Sequence, residues 1–422
     1  MDAVTVTPLP VNEPVLTYAP GSAERSDVEA ALKTLQAERA DLTMTIDGQQ
    51  RFGAGEAFDV VQPHRHHAVL GSGRQATNAD VQAAVDAAAR AAPMWRDLPF
   101  DERAAVLLRA ADLLAGPWRS TLVAATMLGQ SKSVFQAEID AACELIDFMR
   151  FNVSFARQIR TEQPMSGPGV WNRMDHRPLE GFVLAISPFN FTAIAGNLPL
   201  APALMGNTVV WKPATTQQFA AHFTMRLLEA AGLPPGVINL VTGSGRAVSE
   251  VALADPRLAG IHFTGSTGTF QQLWSTVGAR ISSYRTYPRL VGETGGKDFV
   301  IAHPSADPSA LVTALVRGAF EYQGQKCSAA SRAYIPRSLW DSEVRDALAH
   351  GTESLTYGDV TDLSQFGGAV IDRPSYDRLS AVQEMARADA DVPRPSAPLL
   401  GAVSSLIGAV RSLIGACRRL LP

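Results

Sequence analysis

The chain is 422 residues long and poor in the features that mark several protein classes. Its three cysteines, Cys143, Cys327 and Cys417, are too widely spaced for a disulfide scaffold, and this usage suits a reducing compartment. A formal net charge of −4 gives no electrostatic argument for nucleic acid or an anionic membrane as partner. The opening MDAVTVTPLPVNEPVLTYAP lacks a basic region followed by an apolar run, so no secretory signal is read there. Nothing before residue 398 has the unbroken apolar length of a spanning helix. His64, His66 and His67 cluster in a Pro-containing loop with no carboxylate or cysteine at ligand spacing, so no metal site is expected. The three-glycine dinucleotide fingerprint is also missing, because GSGRAV (243–248) has two of the glycines and not the third. The expectation is a cytoplasmic enzyme.

The hydrophobic content of 46% against 18% charged residues is enough for a large core, and the length suggests two or three domains. Residues 1–24 read as a Pro-rich arm lying over the body or a neighbouring subunit, and residues 25–42 show helical spacing. LTMTIDGQQRF (42–52) reads as a hairpin turning at Asp47-Gly48. Asn78 is expected to cap an Ala-rich helix that Pro93 ends. Helices follow at 100–115 and 118–128, then one long helix over 132–160 that carries Glu144. From 181 the pattern changes to strands GFVLAIS, NTVVWKP, VINLVTG, GIHFTG and RLVGE, with helical segments between them. That alternation predicts an α/β fold with a parallel, Rossmann-type sheet whose ligands sit at the strand carboxyl ends. A second α/β unit follows Glu293, with DFVIAHP, a helix at 307–323, SRAYIP and a helix at 338–353.

Three short segments carry candidate chemistry. Cys327 follows Gln-Gly-Gln-Lys and precedes small residues that leave room for a substrate, and Lys326 or a helix dipole would lower its pKa. Glu293 opens a Glu-Thr-Gly-Gly knot, and Asn190 stands in a Pro-Phe-Asn turn after a strand. Taken singly, these fit a buried cysteine, a strand-end ion pair and a turn-former equally well. FTGSTGT (263–269), at a strand end ahead of a helix, can hold a pyrophosphate on its N–H groups and the Ser266 hydroxyl, or can be an ordinary capped turn.

The stretches SPFNFTAIAGNLPLAPALMGNTVVWKPA (187–214), FTGSTGTFQQLW (263–274) and FEYQGQKCSAASR (320–332) resemble the aldehyde dehydrogenase superfamily. Within it they look like the Δ1-pyrroline-5-carboxylate (L-glutamate γ-semialdehyde) dehydrogenase branch, across roughly residues 30–390. The resemblance implies NAD-dependent oxidation of L-glutamate γ-semialdehyde to L-glutamate in proline catabolism. It makes Cys327 the nucleophile, Glu293 the base that activates water, and the Asn190 amide with the Cys327 N–H an oxyanion hole worth ~3–4 kcal/mol per donor lost. Ser187, Phe189, Lys212, Gly245, Gly265, Ser266, Thr267, Gly268 and Thr269 would hold the cofactor, with Lys212 reaching the ribose hydroxyls. Thr215 stands where many NAD-using relatives have Glu, so NAD is favoured by family habit and NADP is not excluded. Ser328 and Phe191 would contact the substrate, and Phe270 is the residue this branch shows where many relatives have glycine. A glutamate at the place of Glu144 approaches the substrate's amino end in the family; a solvent-facing or core-capping role fits this one equally.

The implied organisation is an N-terminal arm and helix (1–50), an NAD-binding domain (51–290), a truncated catalytic domain (291–392) and an unrelated tail (393–422). The tail has four arginines, no acid and a seven-residue repeat (LLGAVSS, LIGAVRS, LIGACRR). An amphipathic membrane-contacting or pairing helix, an interaction tail and appended read-through sequence all fit it, and the abrupt boundary favours the last. Family members are homo-oligomers, but their nicotinamide-gripping glutamate, substrate-anchoring loop and dimerisation hairpin are not found in this sequence. The rival function is therefore an impaired remnant serving at most as an NAD- or partner-binding module.

Overall fold

The computed structural model describes residues 9–388, which divide into two compact units. The first takes residues 9–60, 69–129 and 137–293, and the second 61–68, 130–136 and 294–388. The tail from 393 lies outside the described residues, as do the first eight residues of the arm.

The first unit is built on a seven-stranded sheet. Its spatial order is Arg289–Glu293, Leu258–Thr264, Phe182–Ser187, Thr208–Pro213, Ile238–Leu240, Met44–Ile46, Gln49–Arg51. The first five strands are parallel; the last two form the expected hairpin, which joins Ile238–Leu240 in antiparallel pairing. Asp47 and Gly48 both adopt positive φ, 55° and 73°, as a tight two-residue hairpin turn requires. The central strands Phe182–Ser187 and Thr208–Pro213 are buried at every position, which is why they read as continuous apolar runs and not as alternating ones. Helices Thr192–Leu204, Gln218–Ala230, Gly245–Ala252 and Thr267–Ala279 connect successive strands. From Phe182–Ser187 the chain first winds outward to Ile238–Leu240, then returns to lay Leu258–Thr264 on the other side of its starting strand. The strand order therefore reverses between Phe182–Ser187 and Leu258–Thr264, the place where doubly wound sheets open a ligand crevice.

Several expectations need correction. The Ala-rich helix spans Asn78–Asp97, is capped by Thr77 through a reciprocal bond with Asp80, and runs through Pro93 without ending. Trp95, fully buried with its indole N–H donated to the Ala203 carbonyl at 2.7 Å, ties the segment beyond the proline to the core. The single long helix over 132–160 is in fact three pieces: α-helical Val134–Ala137, a π-helical turn Glu138–Glu144, and Leu145–Thr161. The helical spacing over 25–42 covers a helix, Ala23–Ala37, and a short strand, Ala40–Leu42. That strand joins Arg65–Arg74 and Ala57–Gln62 in a small sheet, so His66 and His67 lie on a strand. The arm packs on its own unit. Leu16 N–H and the Tyr18 hydroxyl donate to the buried Glu138 carboxylate at 2.9 and 2.6 Å, and Arg119 pairs with the same group.

In the second unit, strands Phe299–Ile301 and Arg332–Tyr334 pair in parallel. Helix Pro308–Phe320 is capped by Asp307, which accepts the Ala310 N–H at 2.8 Å. Its apolar side packs Leu311, Leu315, Val316 and Phe320 against Val344 and Leu348. The helix expected to reach 323 stops at Phe320, because Tyr322 and Gln323 turn left-handed with φ of 51° and 56°.

Candidate active site

Both strands that flank the reversal point deliver candidate residues at their carboxyl ends. Ser187 closes the first, buried, with its hydroxyl accepting the Trp211 indole N–H at 3.0 Å. Pro188, Phe189, Asn190 and Phe191 then turn the chain into helix Thr192–Leu204. The opening N–H groups of that helix, Thr192 and Ala193, donate to the Asp140 carboxylate at 2.9 Å each. Asp140, on the π-helical turn and almost fully buried, thus does the capping that an Asn beside a helix start commonly does. Glu144 ends the same turn, half-buried.

The second strand runs into Gly265–Thr269. The Gly265 N–H donates to the Glu293 carbonyl at 3.1 Å, which ties the turn to the end of strand Arg289–Glu293. The Ser266 hydroxyl is already engaged as the helix cap, accepting the Thr269 N–H at 3.2 Å and meeting the Thr269 hydroxyl at 2.7 Å. The capped-turn reading holds for Ser266, and the remaining first-turn N–H groups, which a phosphate could take, belong to Thr267 and Gly268. A Cβ on Gly268 would meet nothing within 4 Å, whereas one on Gly265 would lie 2.7 Å from the Phe263 ring. The turn thus keeps open space on its outer side and close packing on its inner side. Phe270 stacks on Phe263 with centroids 5.7 Å apart and lies against Gly292, where a Cβ would overlap its ring.

Lys212 ends the buried strand Thr208–Pro213, and burial alone pushes its pKa down to about 8. Its ammonium lies 3.7 Å from the point a Cβ on Gly245 would occupy. Gly245 opens a helix capped by Ser244, which accepts the Ala247 N–H at 3.1 Å. Thr215 is exposed on the short turn that follows the strand. Strand ends, two helix starts, an under-solvated lysine and open space at Gly268 suit a dinucleotide with its pyrophosphate on the Gly265–Thr269 turn. Glu293 is exposed at the end of the edge strand of the same sheet.

Cys327 belongs to the second unit, on a turn where it is partly exposed and Ser328 is exposed. No helix begins at Cys327 itself. The Lys326 ammonium, expected to depress the thiol pKa, is 3.0 Å from Glu321 and paired with it. Burial pushes the Glu321 carboxyl up, but Lys326 and Arg317 outweigh that and hold it below its usual range. The residue type gave no sign of two features of this loop. One is Gly296, whose backbone lies directly against the Cys327 carbonyl. The other is the pair Gln323 and Gln325, whose carboxamides bond to residues 368–371.

The first unit defines a doubly wound nucleotide-binding protein, and the second adds a cysteine on a built turn. The model of the aldehyde dehydrogenase family matches residues 51–394, and the chain belongs to that family. It is 44% identical to the delta-1-pyrroline-5-carboxylate dehydrogenase of Agaricus bisporus over 377 residues, 89% of this chain and 69% of that protein. The mitochondrial delta-1-pyrroline-5-carboxylate dehydrogenase of Homo sapiens is 44% identical, with 89% of this chain and 67% of that protein covered. Among solved structures, the Delta-pyrroline-5-carboxylate dehydrogenase from Mycobacterium tuberculosis bound with NAD superposes with a TM-score of 0.91 at 65% identity. That match covers 93% of this chain and 73% of the other.

Proposed function

We propose that the chain is an NAD-dependent dehydrogenase that oxidises L-glutamate γ-semialdehyde, the open form of Δ1-pyrroline-5-carboxylate, to L-glutamate in proline catabolism. The observation that carries this reading is the 65% identity, over 93% of the chain, with a Delta-pyrroline-5-carboxylate dehydrogenase bound with NAD. The turn at Gly265–Thr269 and Lys212 beside Gly245 support the cofactor part.

The residue roles follow from family resemblance. The Cys327 thiolate adds to the aldehyde carbon, forming a carbon–sulfur bond and an oxyanion. The Asn190 amide and the Cys327 N–H donate to that oxyanion, which lowers the barrier only where charge develops. NAD, when bound, supplies the acceptor for the hydride that leaves this carbon. The carbon remaining on Cys327 is then a thioester. Glu293 takes a proton from water, which attacks the thioester and releases the carboxylic acid and the thiolate. Ser328, exposed beside the cysteine, and Phe191, at the start of its helix, are assigned to the substrate's charged head and methylenes. Three widely spaced cysteines support work in a reducing compartment such as the cytoplasm.

The test is NADH formation from Δ1-pyrroline-5-carboxylate by the purified chain. Activity lost in Cys327→Ala, and reduced by about 100-fold or more in Asn190→Ala, is expected. Absence of NADH formation at saturating NAD and substrate sinks the reading.

A further inference from the structure

The turn that carries Cys327 is held in a strained shape by a second strand of contacts that the reaction scheme does not use. Tyr322 and Gln323 are consecutive left-handed residues, followed by Gly324 at φ 68°. Non-glycine residues visit that region singly and at a cost, so two in succession persist only when their surroundings hold them. Both side chains are almost fully buried. The Tyr322 ring lies under the Lys132 ammonium, 4.5 Å from its centroid.

Gln323 is gripped on both ends of its carboxamide. Its Nε2 donates to the Ala369 carbonyl at 2.7 Å, and its Oε1 accepts the Gly368 N–H at 3.2 Å. Two residues on, Gln325 Oε1 accepts the Ile371 N–H at 3.0 Å. The strap 367–371 is fixed from its other side: Ser131 Oγ accepts the Ala369 N–H at 2.9 Å and meets His64 Nδ1 at 3.1 Å. His64 Nε2 in turn faces Asp359 at 3.4 Å. The strap can lie this close only because it is Gly-Gly there. A Cβ on Gly367 would stand 2.6 Å from Gln323 Oε1, and one on Gly368 would overlap Ser131 Oγ.

We infer that Gln323 is a positioning residue for Cys327: its carboxamide, clasped by the Gly367–Ile371 strap, imposes the left-handed turn that sets where the thiol stands. The inference rests on Cys327 being the nucleophile. A displaced turn moves the reacting sulfur and its N–H together, and a misplacement of about 1 Å can cost on the order of 100-fold in rate.

The test uses the full chain and two variants that break the same clasp from opposite sides. Gln323→Met keeps length and burial without the paired amide bonds, and Gly368→Ala pushes the strap off Ser131. Iodoacetamide alkylation of Cys327 is followed by peptide mass mapping across a pH series, with NAD-dependent turnover and the thermal unfolding midpoint measured on the same samples. Both variants should shift the alkylation profile by about half a pH unit or more. Both should lower kcat by about ten-fold or more with KM for NAD within about two-fold. An unchanged alkylation profile in either folded variant, while Cys327→Ser is inactive, overturns the inference alone. So does a loss of turnover that only tracks the loss of folded protein, which would make Gln323 purely structural. A Cys327→Ser variant that keeps its turnover overturns the nucleophile reading, and the inference with it.

Discussion

Gly296 runs directly against Cys327, so close that a Cβ at position 296 would overlap the Cys327 carbonyl oxygen. The atom in the way is backbone, so no rotamer change relieves it. Gly296→Ala must therefore move the cysteine turn or the strand lead-in at Phe299. We expect a stability loss of about 1–3 kcal/mol, as for other overpacked sites, and a fall in kcat on the order of 100-fold. Thermal unfolding and steady-state kinetics check both; a variant with wild-type kcat would show that the approach of Gly296 does not set the thiol's position.

The two described cysteines should differ sharply in reactivity. Cys143 is buried, and its thiol is pushed up to about 12, first by burial and then by the neighbouring Glu138 carboxylate. Cys327 sits on a turn with partial access to solvent. At pH 8 iodoacetamide should modify Cys327 at least about ten times faster than Cys143. Peptide mapping at early time points measures the ratio, and comparable rates would count against an activated Cys327.

Much of this architecture was legible because it is locally encoded. The apolar runs at 182–187 and 208–213 and the Asp47-Gly48 turn declare themselves in a few adjacent residues. What escaped was decided at long range. Nothing beside Thr192 in sequence says that Asp140 will take its N–H, and nothing near Pro93 says that Trp95 will anchor the helix beyond it. A π-helical turn such as Glu138–Glu144 has the same residue types as an α-helix. Left-handed Tyr322 and Gln323 were hidden for a related reason: neither residue type favours that conformation, and residues 131, 132, 368 and 369 enforce it. The pairing of Lys326 with Glu321 was hidden too, because the two meet across the left-handed turn that separates them in sequence.

A buried carboxylate takes several of the bonds that hold the arm, beside Asp147, which accepts from Asn12 Nδ2 and the Glu13 N–H at 2.7 and 2.8 Å. Glu138 is fully buried and accepts from Leu16 N–H, Tyr18 and Arg119, while Glu13 joins Arg119 and Arg150 at 2.6 Å each. Removing the carboxylate leaves the Arg119 guanidinium buried with one of its two anions gone. Glu138→Ala should therefore cost about 3–5 kcal/mol and free the arm. Limited proteolysis between residues 9 and 20, alongside denaturant unfolding, tests this. A resistant arm with unchanged stability would mean that the Glu13 and Asp147 contacts suffice to hold it.

Lys212 supplies a pH dependence whose sign can be worked out. Burial holds its folded pKa down to about 8, whereas an unfolded lysine keeps its proton to about 10.4. Between those values the unfolded chain binds the extra proton, so this group makes stability rise with pH across the interval. A cofactor whose ribose offers acceptors to the ammonium has the opposite preference, because it needs the charged form. NAD affinity should therefore weaken as pH rises through about 8, by up to about ten-fold per unit above it. Binding near that pH should take up protons, so the calorimetric enthalpy will vary with the ionisation enthalpy of the buffer. Lys212→Met should bind NAD more weakly and lose both dependences, because the group that titrates is gone. If the parent chain instead binds NAD equally well across the interval, with an enthalpy indifferent to buffer, then the Lys212 ammonium does not touch the cofactor.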